Sequence, residues 1–124
     1  MKGQKPENIN QRTFRFAVRV INLCRSLSKD EVNRILINQV IRSVTSIGAN
    51  LEEASGAHTK GEFINCNNIA RREARETLYW LKMIYEVNSD RVKNRMRELS
   101  VESNEIVSIL VASVKKLQKN TGEK

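Results

Sequence analysis

The 124-residue chain has few of the residues that interrupt helices or build specialised sites: one proline, five glycines, one histidine and two cysteines. Pro6 lies near the start, so the rest of the chain can form long helices. No segment alternates apolar and polar residues with a period of two, and we expect no sheet. The sequence has no apolar run of about 18 residues and no signal-peptide core, so we expect neither a membrane span nor secretion.

The scarcity of histidine and cysteine leaves little material for a catalytic or metal centre. A di-metal site in a helical bundle needs Glu-x-x-His pairs, and the chain has none. His58 lies in a predicted turn, where a solvated histidine is far more common than a general base. Cys24 and Cys66 lie on apolar helix faces without a CxxC partner, which indicates core thiols of a reduced protein. We therefore expect a cytoplasmic protein that is not an enzyme and uses no cofactor.

What the chain does contain is a three-four spacing of apolar residues, clearest over residues 37–54. This spacing puts one residue per turn on a single stripe of a helix. The stripe consists of Ile37, Val40, Val44, Ile47, Leu51 and Ala54. Similar stripes predict helices over residues 9–27, 29–57 and 60–87, and a fourth that begins at residue 91 or after residue 100 and ends near residue 118.

Four amphipathic helices with short turns predict an all-α fold, an antiparallel up-down-up-down four-helix bundle. We assign residues 1–124 to one domain and expect residues 1–8 and 119–124 to be flexible. Ser28 with Glu31, and Thr59 with Glu62, have the spacing of capping boxes. They predict the starts of the second and third helices.

Positive charge is in excess and unevenly distributed. The chain has 22 basic and 14 acidic residues, a net charge of +8. Residues 1–25 hold six basic residues against Glu7 alone, and residues 71–97 hold eight against four. Such clusters favour an anionic partner, RNA, DNA or an acidic protein, although a solvated helix surface explains the charge equally well. Our predicted phosphate contacts are Arg12, Arg15, Arg19, Arg71 and Arg75.

A polar stripe, formed by Gln39, Ser43, Ser46, Asn50 and Glu53, runs beside the apolar one in the second predicted helix. Polar groups next to a packing seam are either solvated or bound to a partner. Asn50 and Glu53 can be solvated, paired with a basic residue of the third helix, or buried at a subunit contact. Arg72 and Glu76, four residues apart, can pair with each other.

We predict structural or subunit polar contacts for Asn50, Glu53, Arg72, Glu73 and Glu76. An enzyme would instead need a polar cleft with a perturbed carboxylate among Glu53, Glu73 and Glu76. A metal site there would have carboxylates but no histidine.

Two motifs, in order, resemble those of a known family. The run 46–54, SIGANLEEA, resembles the signature SIPANIAEG of the four helix bundle proteins, also called 23S rRNA-intervening-sequence proteins. The run 70–81, ARREARETLYWL, is similar to their pattern A-x-x-E-A-x-E-T-x-Y-W-L. Gly48 stands where the family often has proline, and Ala54 where it often has glycine. Both residues are compatible with a helix.

The resemblance implies an antiparallel four-helix bundle that assembles as a ring, commonly a homopentamer. The related accessory variability determinant protein of diversity-generating retroelements is similar in fold and in being basic, and it binds nucleic acid and a reverse transcriptase. The predicted function is therefore a homo-oligomer that binds RNA or DNA non-specifically through basic residues. The alternative is a protein-interaction scaffold whose basic residues serve subunit contacts or an acidic protein partner.

Overall fold

The protein folds into four α-helices in a computed structural model, which describes residues 7–120. The helices are α1 (Ile9–Ser26), α2 (Glu31–Ser55), α3 (Lys60–Val87) and α4 (Asp90–Asn120). Residues 7–120 contain no strand, and the predicted all-α bundle is confirmed. Residues 1–6 and 121–124, most of the predicted flexible ends, lie outside the described residues. At the borders, Asn8 caps α1 and residues 119–120 continue α4.

Each helix packs against the next helix in the chain, and α4 packs against α1 to close the bundle. The α2–α3 contact is the most extensive and the α1–α4 contact the least extensive. The bundle therefore has four outer faces, each formed by two adjacent helices. We name them the α1–α2, α2–α3, α3–α4 and α4–α1 faces.

The core is built from the predicted stripes. In α2 the buried apolar residues are Leu36, Val40, Val44, Ile47, Leu51 and Ala54. The stripe is confirmed except at its first position, where Leu36 is buried and Ile37 is only partly so. In α3 the small residues Ala70 and Ala74 are buried, which allows neighbouring helices to approach closely.

The start of α2 differs from the prediction. Asp30 is its N-cap, and the Asp30 carboxylate accepts a hydrogen bond of 2.8 Å from the backbone N–H of Asn33. The Ser28 hydroxyl donates to the Asp30 carboxylate at 3.2 Å. The predicted Ser28–Glu31 capping box was therefore wrong. Aspartate caps a helix as well as serine does, and Asp30 lies immediately before the first helical residue.

The other helix starts agree with the sequence more closely. Thr59 caps α3 as predicted and accepts from the backbone N–H of Glu62 at 3.1 Å. The Glu62 carboxylate reaches the backbone N–H of His58, at 2.9 Å. Asn8 and Gln11 form a full capping box at α1 that was not predicted. The fourth helix runs unbroken from residue 90, which decides between its two predicted starts.

No helix in the described part of the chain has the length and apolar character needed to cross a membrane.

Candidate nucleic-acid interface

Arg12 of α1 is held between two carboxylates of α4. Its Nε donates to Glu102 at 2.7 Å, and its Nη2 donates to the second oxygen of Glu102 at 2.8 Å and to Glu105 at 2.5 Å. The contact with Glu102 is bidentate, a strong geometry for an arginine–carboxylate pair. The side chains are 25% exposed for Arg12 and 19% for Glu102, so water screens the pair only in part.

The ionisation of this pair is shifted toward the charged forms. The hydrogen bond from Arg12 holds the pKa of Glu102 below its usual value, although partial burial acts in the opposite direction. The same hydrogen bond raises the pKa of Arg12 above its usual value, again against desolvation. The positive charge of Arg12 is therefore neutralised by carboxylates within the bundle, and these salt bridges hold α1 against α4.

The other two predicted arginines of α1 are less constrained. Arg15 lies 2.8 Å from Glu7, and its side chain remains 70% exposed. Arg19 is partly buried and lies beside a shallow depression that also contains Arg97 and Glu98 of α4. The two carboxylate partners of Arg12 lie about 90 residues further along the chain, so the charge pattern within the first helix does not reveal them.

The arginines of α3 have a different environment. Arg71 is partly buried and its Nε donates to Asn68 in the same helix at 2.9 Å, whereas Arg72 and Arg75 are exposed. Lys82 is exposed on the same side of α3 as Arg71 and Arg75. Within residues 7–120, none of these four cations forms a salt bridge.

The fourth helix adds positive charge next to this row. The Lys93 Nζ lies 5.4 Å from the centre of the Tyr85 ring, which sets the antiparallel register of α3 and α4. We define the α3–α4 basic face by four residues: Arg71, Arg75, Lys82 and Lys93. Arg97 lines the depression beside Arg19 instead. One carboxylate, Glu86, follows Lys82 by one turn on the same side.

The α2–α3 face contains a charged network in which a cation is again neutralised. Arg42 of α2 contacts the carboxylates of both Glu73, at 3.4 Å from Nη1, and Glu76. The indole N–H of Trp80 also donates to Glu76, at 2.9 Å. Glu73 and Glu76 are thus contacts between α2 and α3. The structure pairs Glu76 with Arg42 rather than with Arg72.

The polar stripe of α2 divides into buried and exposed parts. The Ser43 hydroxyl is fully buried and accepts from the Thr77 hydroxyl of α3 at 2.9 Å. The Asn50 amide is satisfied within α2, donating to the Ser46 carbonyl at 2.9 Å and the Ser46 hydroxyl at 3.1 Å. Glu53 is exposed. In the described chain, neither Asn50 nor Glu53 pairs with a cation of α3.

Little in the described structure supports chemistry at these carboxylates. Glu73 and Glu76 are ion-paired and Glu53 faces solvent, which removes the main argument for a catalytic carboxylate. Residues 7–120 contain no group of three or more His, Cys, Asp or Glu residues that could hold a metal ion. Cys24 is buried, which raises the pKa of its thiol to about 11 although nearby Lys29 lowers it.

The comparisons with known proteins agree with the motif resemblance. The profile of the family described as 23S rRNA-intervening sequence protein matches residues 6–112. The chain belongs to this family. A member of the S23 ribosomal protein family from Bacteroides thetaiotaomicron VPI-5482, whose crystal structure describes a protein of unknown function, is 34% identical, with a TM-score of 0.76. The match covers 87% of this chain and 99% of that chain. A search of curated proteins found no match.

In this member of the family, several residues of the α3 motif hold α3 against α2. Glu73 and Glu76 bind Arg42, and Thr77 binds the buried Ser43. Trp80 supports Glu76 by donating its indole hydrogen bond. Among the fixed positions of the resembled pattern, Glu73, Glu76 and Thr77 contact α2 directly, whereas Tyr79 is 53% exposed. The variable positions of the pattern include Arg71, Arg72 and Arg75, which lie on the outer side.

Proposed function

We propose that this protein is a non-enzymatic homo-oligomer that binds the phosphate backbone of RNA or DNA through the α3–α4 basic face. One contrast carries the proposal. Arg12 and Arg42 are saturated by carboxylates, whereas Arg71 and Arg75 make no salt bridge within the described residues. A cation without a carboxylate partner can replace the counterions of a phosphate, and this release drives non-specific binding.

The proposal redistributes the predicted phosphate contacts. Arg71 and Arg75 remain, joined by the neighbouring cations of the basic face. Arg12 is removed from the predicted phosphate contacts because its salt bridges stabilise the fold. Arg15 and Arg19 are assigned peripheral contacts only. Arg71 and Lys82 are eleven residues apart, or about 16 Å along the helix, which is a span of about five nucleotides of one strand. A row of this kind positions a backbone without reading its sequence.

Two further features fit the proposal. Both cysteines are free thiols, as in proteins of the reducing cytoplasm, where we place this protein. Phe14 is 71% exposed and Val18 41% exposed, on a surface that a subunit contact would cover. The same exposure favours the alternative, a protein-interaction scaffold, in which the basic face would contact an acidic protein instead of phosphate.

The test is a titration of the protein into labelled structured RNA and duplex DNA, read by fluorescence anisotropy. We expect binding at about 50 mM salt that weakens steeply toward about 200 mM. The double variant R71E/R75E should lose at least about tenfold in affinity, and its salt slope should fall by about two. Absence of binding at about 50 mM salt would overturn the proposal.

The matched control is R25E/R34E, which makes the same change in net charge at exposed sites on α1 and α2 that form no salt bridge within the described residues. It should bind nearly as tightly as the natural sequence. If both double variants lose affinity equally, net charge rather than the basic face determines binding. If R71E/R75E binds normally, the α3–α4 basic face is not the site.

A further inference from the structure

Tyr79 is an aromatic residue on the outer side of α3, beside the α3–α4 basic face, and its side chain is 53% exposed. Arg75 precedes it by four residues and Lys82 follows it by three, so each cation lies one helical turn away on the same side of the helix. Arg72 is exposed and precedes it by seven residues on the same row. Within residues 7–120, none of these three cations forms a salt bridge. The Tyr79 ring therefore lies among cations that are available to phosphate.

The Tyr79 ring is held in place by its neighbours in the bundle. It meets the Trp80 indole edge to face, with ring centroids 5.0 Å apart and an angle of 76° between the ring planes. The indole N–H donates to Glu76 at 2.9 Å, and Glu76 is bound in turn by Arg42 of α2. An exposed ring that is already positioned loses little conformational freedom when a second ring packs on it.

The nearest carboxylates limit the extent of this surface. Glu76 is engaged by the contacts just described. Glu86 is exposed and follows Tyr79 by seven residues on the same row, where its charge repels phosphate. A bound strand is therefore expected to run from Tyr79 past Arg75 toward Arg71, in the direction of the start of α3.

An exposed aromatic ring among cations without salt bridges is typical of surfaces that bind single-stranded nucleic acid. In such surfaces the cations follow the phosphates and the aromatic rings stack on the bases. The bases of a duplex are stacked on each other, so a ring on the convex surface of a helix meets mainly the phosphates and sugars. Removing a base from a duplex costs unstacking free energy, which a single strand or a loop does not require.

We propose that Tyr79 stacks on unpaired bases, so that the basic face binds single strands and loops in preference to duplexes. The inference rests on the proposed function, because it takes the phosphate contacts of the α3–α4 basic face as given. It adds the class of nucleic acid and a contact to the base. Since every base has a π face, stacking on Tyr79 leaves the binding tolerant of sequence.

The experiment measures the affinity of the full chain for three labelled probes by fluorescence anisotropy. The probes, each about 15 nucleotides long, are a thymidine strand, the same strand without bases, and a duplex. The two single strands carry the same phosphates, so their difference in affinity reports contacts to bases. At about 50 mM salt the thymidine strand should bind at least about fivefold more tightly than the strand without bases. At about 200 mM salt, where phosphate contacts are weakened, it should also bind more tightly than the duplex.

Substitutions of Tyr79 separate stacking from charge. Y79A should lose at least about fivefold in affinity for the thymidine strand, while its affinity for the other two probes and its salt slope stay unchanged. Y79F keeps the ring and should bind as the natural sequence does, whereas Y79L keeps apolar area without a ring and should behave as Y79A does. The matched control is V101A, which truncates a side chain of α4 that is 58% exposed and is not part of the basic face. V101A should leave all three affinities unchanged.

Circular dichroism and light scattering check that each variant keeps its fold and its mass. Equal affinity of the natural sequence for the two single strands, tighter binding of the duplex at about 200 mM salt, or normal binding of thymidine by Y79A would overturn the inference and leave the proposed function intact. Dissociation of an oligomer in Y79A would make Tyr79 a subunit contact and would also overturn the inference. Absence of binding to all three probes would overturn the proposed function together with the inference.

Discussion

Asn33 of α2 and Asn88, which ends α3, exchange two amide hydrogen bonds of 3.1 Å across one end of the bundle. The Asn33 amide also donates to the Ser28 carbonyl at 2.9 Å, and Asn33 is only 2% exposed. Asn88 donates in addition to the Ile84 carbonyl at 2.9 Å. The turn between α1 and α2 is therefore joined to the turn between α3 and α4 by polar groups that have little access to water.

Replacement of Asn33 by alanine should lower the free energy of unfolding by about 2 kcal/mol, since Asn88 and the Ser28 carbonyl would each lose a partner. Chemical denaturation followed by circular dichroism measures the change. N38A, at an exposed position of α2, is the control and should stay within about 0.5 kcal/mol. Equal effects of the two substitutions would show that the amide pair contributes no more than a surface residue.

The Arg12–Glu102 pair predicts a loss of stability on E102Q. We expect about 1–3 kcal/mol, because a partly buried hydrogen bond between charged groups loses its charge. E105Q is the matched control, since Glu105 binds the same arginine but its side chain is 56% exposed, and it should cost less than about 1 kcal/mol. The difference between the two variants is measured by urea unfolding at neutral pH.

The same pair predicts how stability depends on pH. The pKa of Glu102 is lower in the folded protein than in the unfolded chain, so the pair stabilises the bundle above the unfolded value of about 4.3. This contribution disappears as the pH falls through the folded pKa. The stabilities of the natural sequence and E102Q should therefore converge in acid. A constant difference down to the acid limit would contradict the assignment.

The buried hydroxyls of Ser43 and Thr77 should be energetically coupled. S43A removes the acceptor of a hydrogen bond of 2.9 Å, and T77V removes the donor while retaining the shape of the side chain. The double variant should cost about 0.5–1 kcal/mol less than the sum of the single variants, because the bond can be lost only once. Thermal unfolding of the four proteins measures the coupling, and additive losses would show that the contact contributes little.

The two thiols should differ in reactivity in the native protein. Cys24 is 2% exposed and its pKa is raised to about 11 by burial, whereas Cys66 is partly exposed. Burial keeps the Cys24 thiol protonated at pH 8 and shields it from solvent, so an aromatic disulfide reagent should modify Cys66 first. In denaturant both thiols should react at similar rates. Faster modification of Cys24 in the native state would contradict the packing around it.

The helices and most of the core could be predicted from the sequence, because one-residue-per-turn stripes depend on local spacing alone. Val40, Val44 and Ile47 are buried as their spacing predicts. Asn33 was missed although a signal was available, since it lies three residues before Leu36 on the buried row. A polar residue on an apolar row predicts a buried hydrogen-bonding partner.

The charge pairs were harder to predict. Whether Arg12 contacts Glu102 depends on how α1 is rotated and shifted against α4. The positions of charged residues within one helix do not determine this arrangement. Arg42 and Glu76 raise the same difficulty between α2 and α3, where the sequence suggested an intrahelical pair with Arg72 instead. Arg71 and Arg75 of α3 could be identified from the sequence as candidate phosphate contacts. That they form no salt bridge within the described residues, whereas Arg12 does, could be seen only in the structure.

The order of the helices around the bundle affects the folding rate. Three of the four helix pairs join neighbours in sequence, and the closure of α4 on α1 brings together distant segments. Chains dominated by local contacts fold quickly. We expect the α2–α3 hairpin to form early and α1 to dock last. Weakening the Arg12–Glu102 pair should then mainly speed unfolding, whereas S43A and T77V should slow folding, a difference that stopped-flow kinetics can resolve.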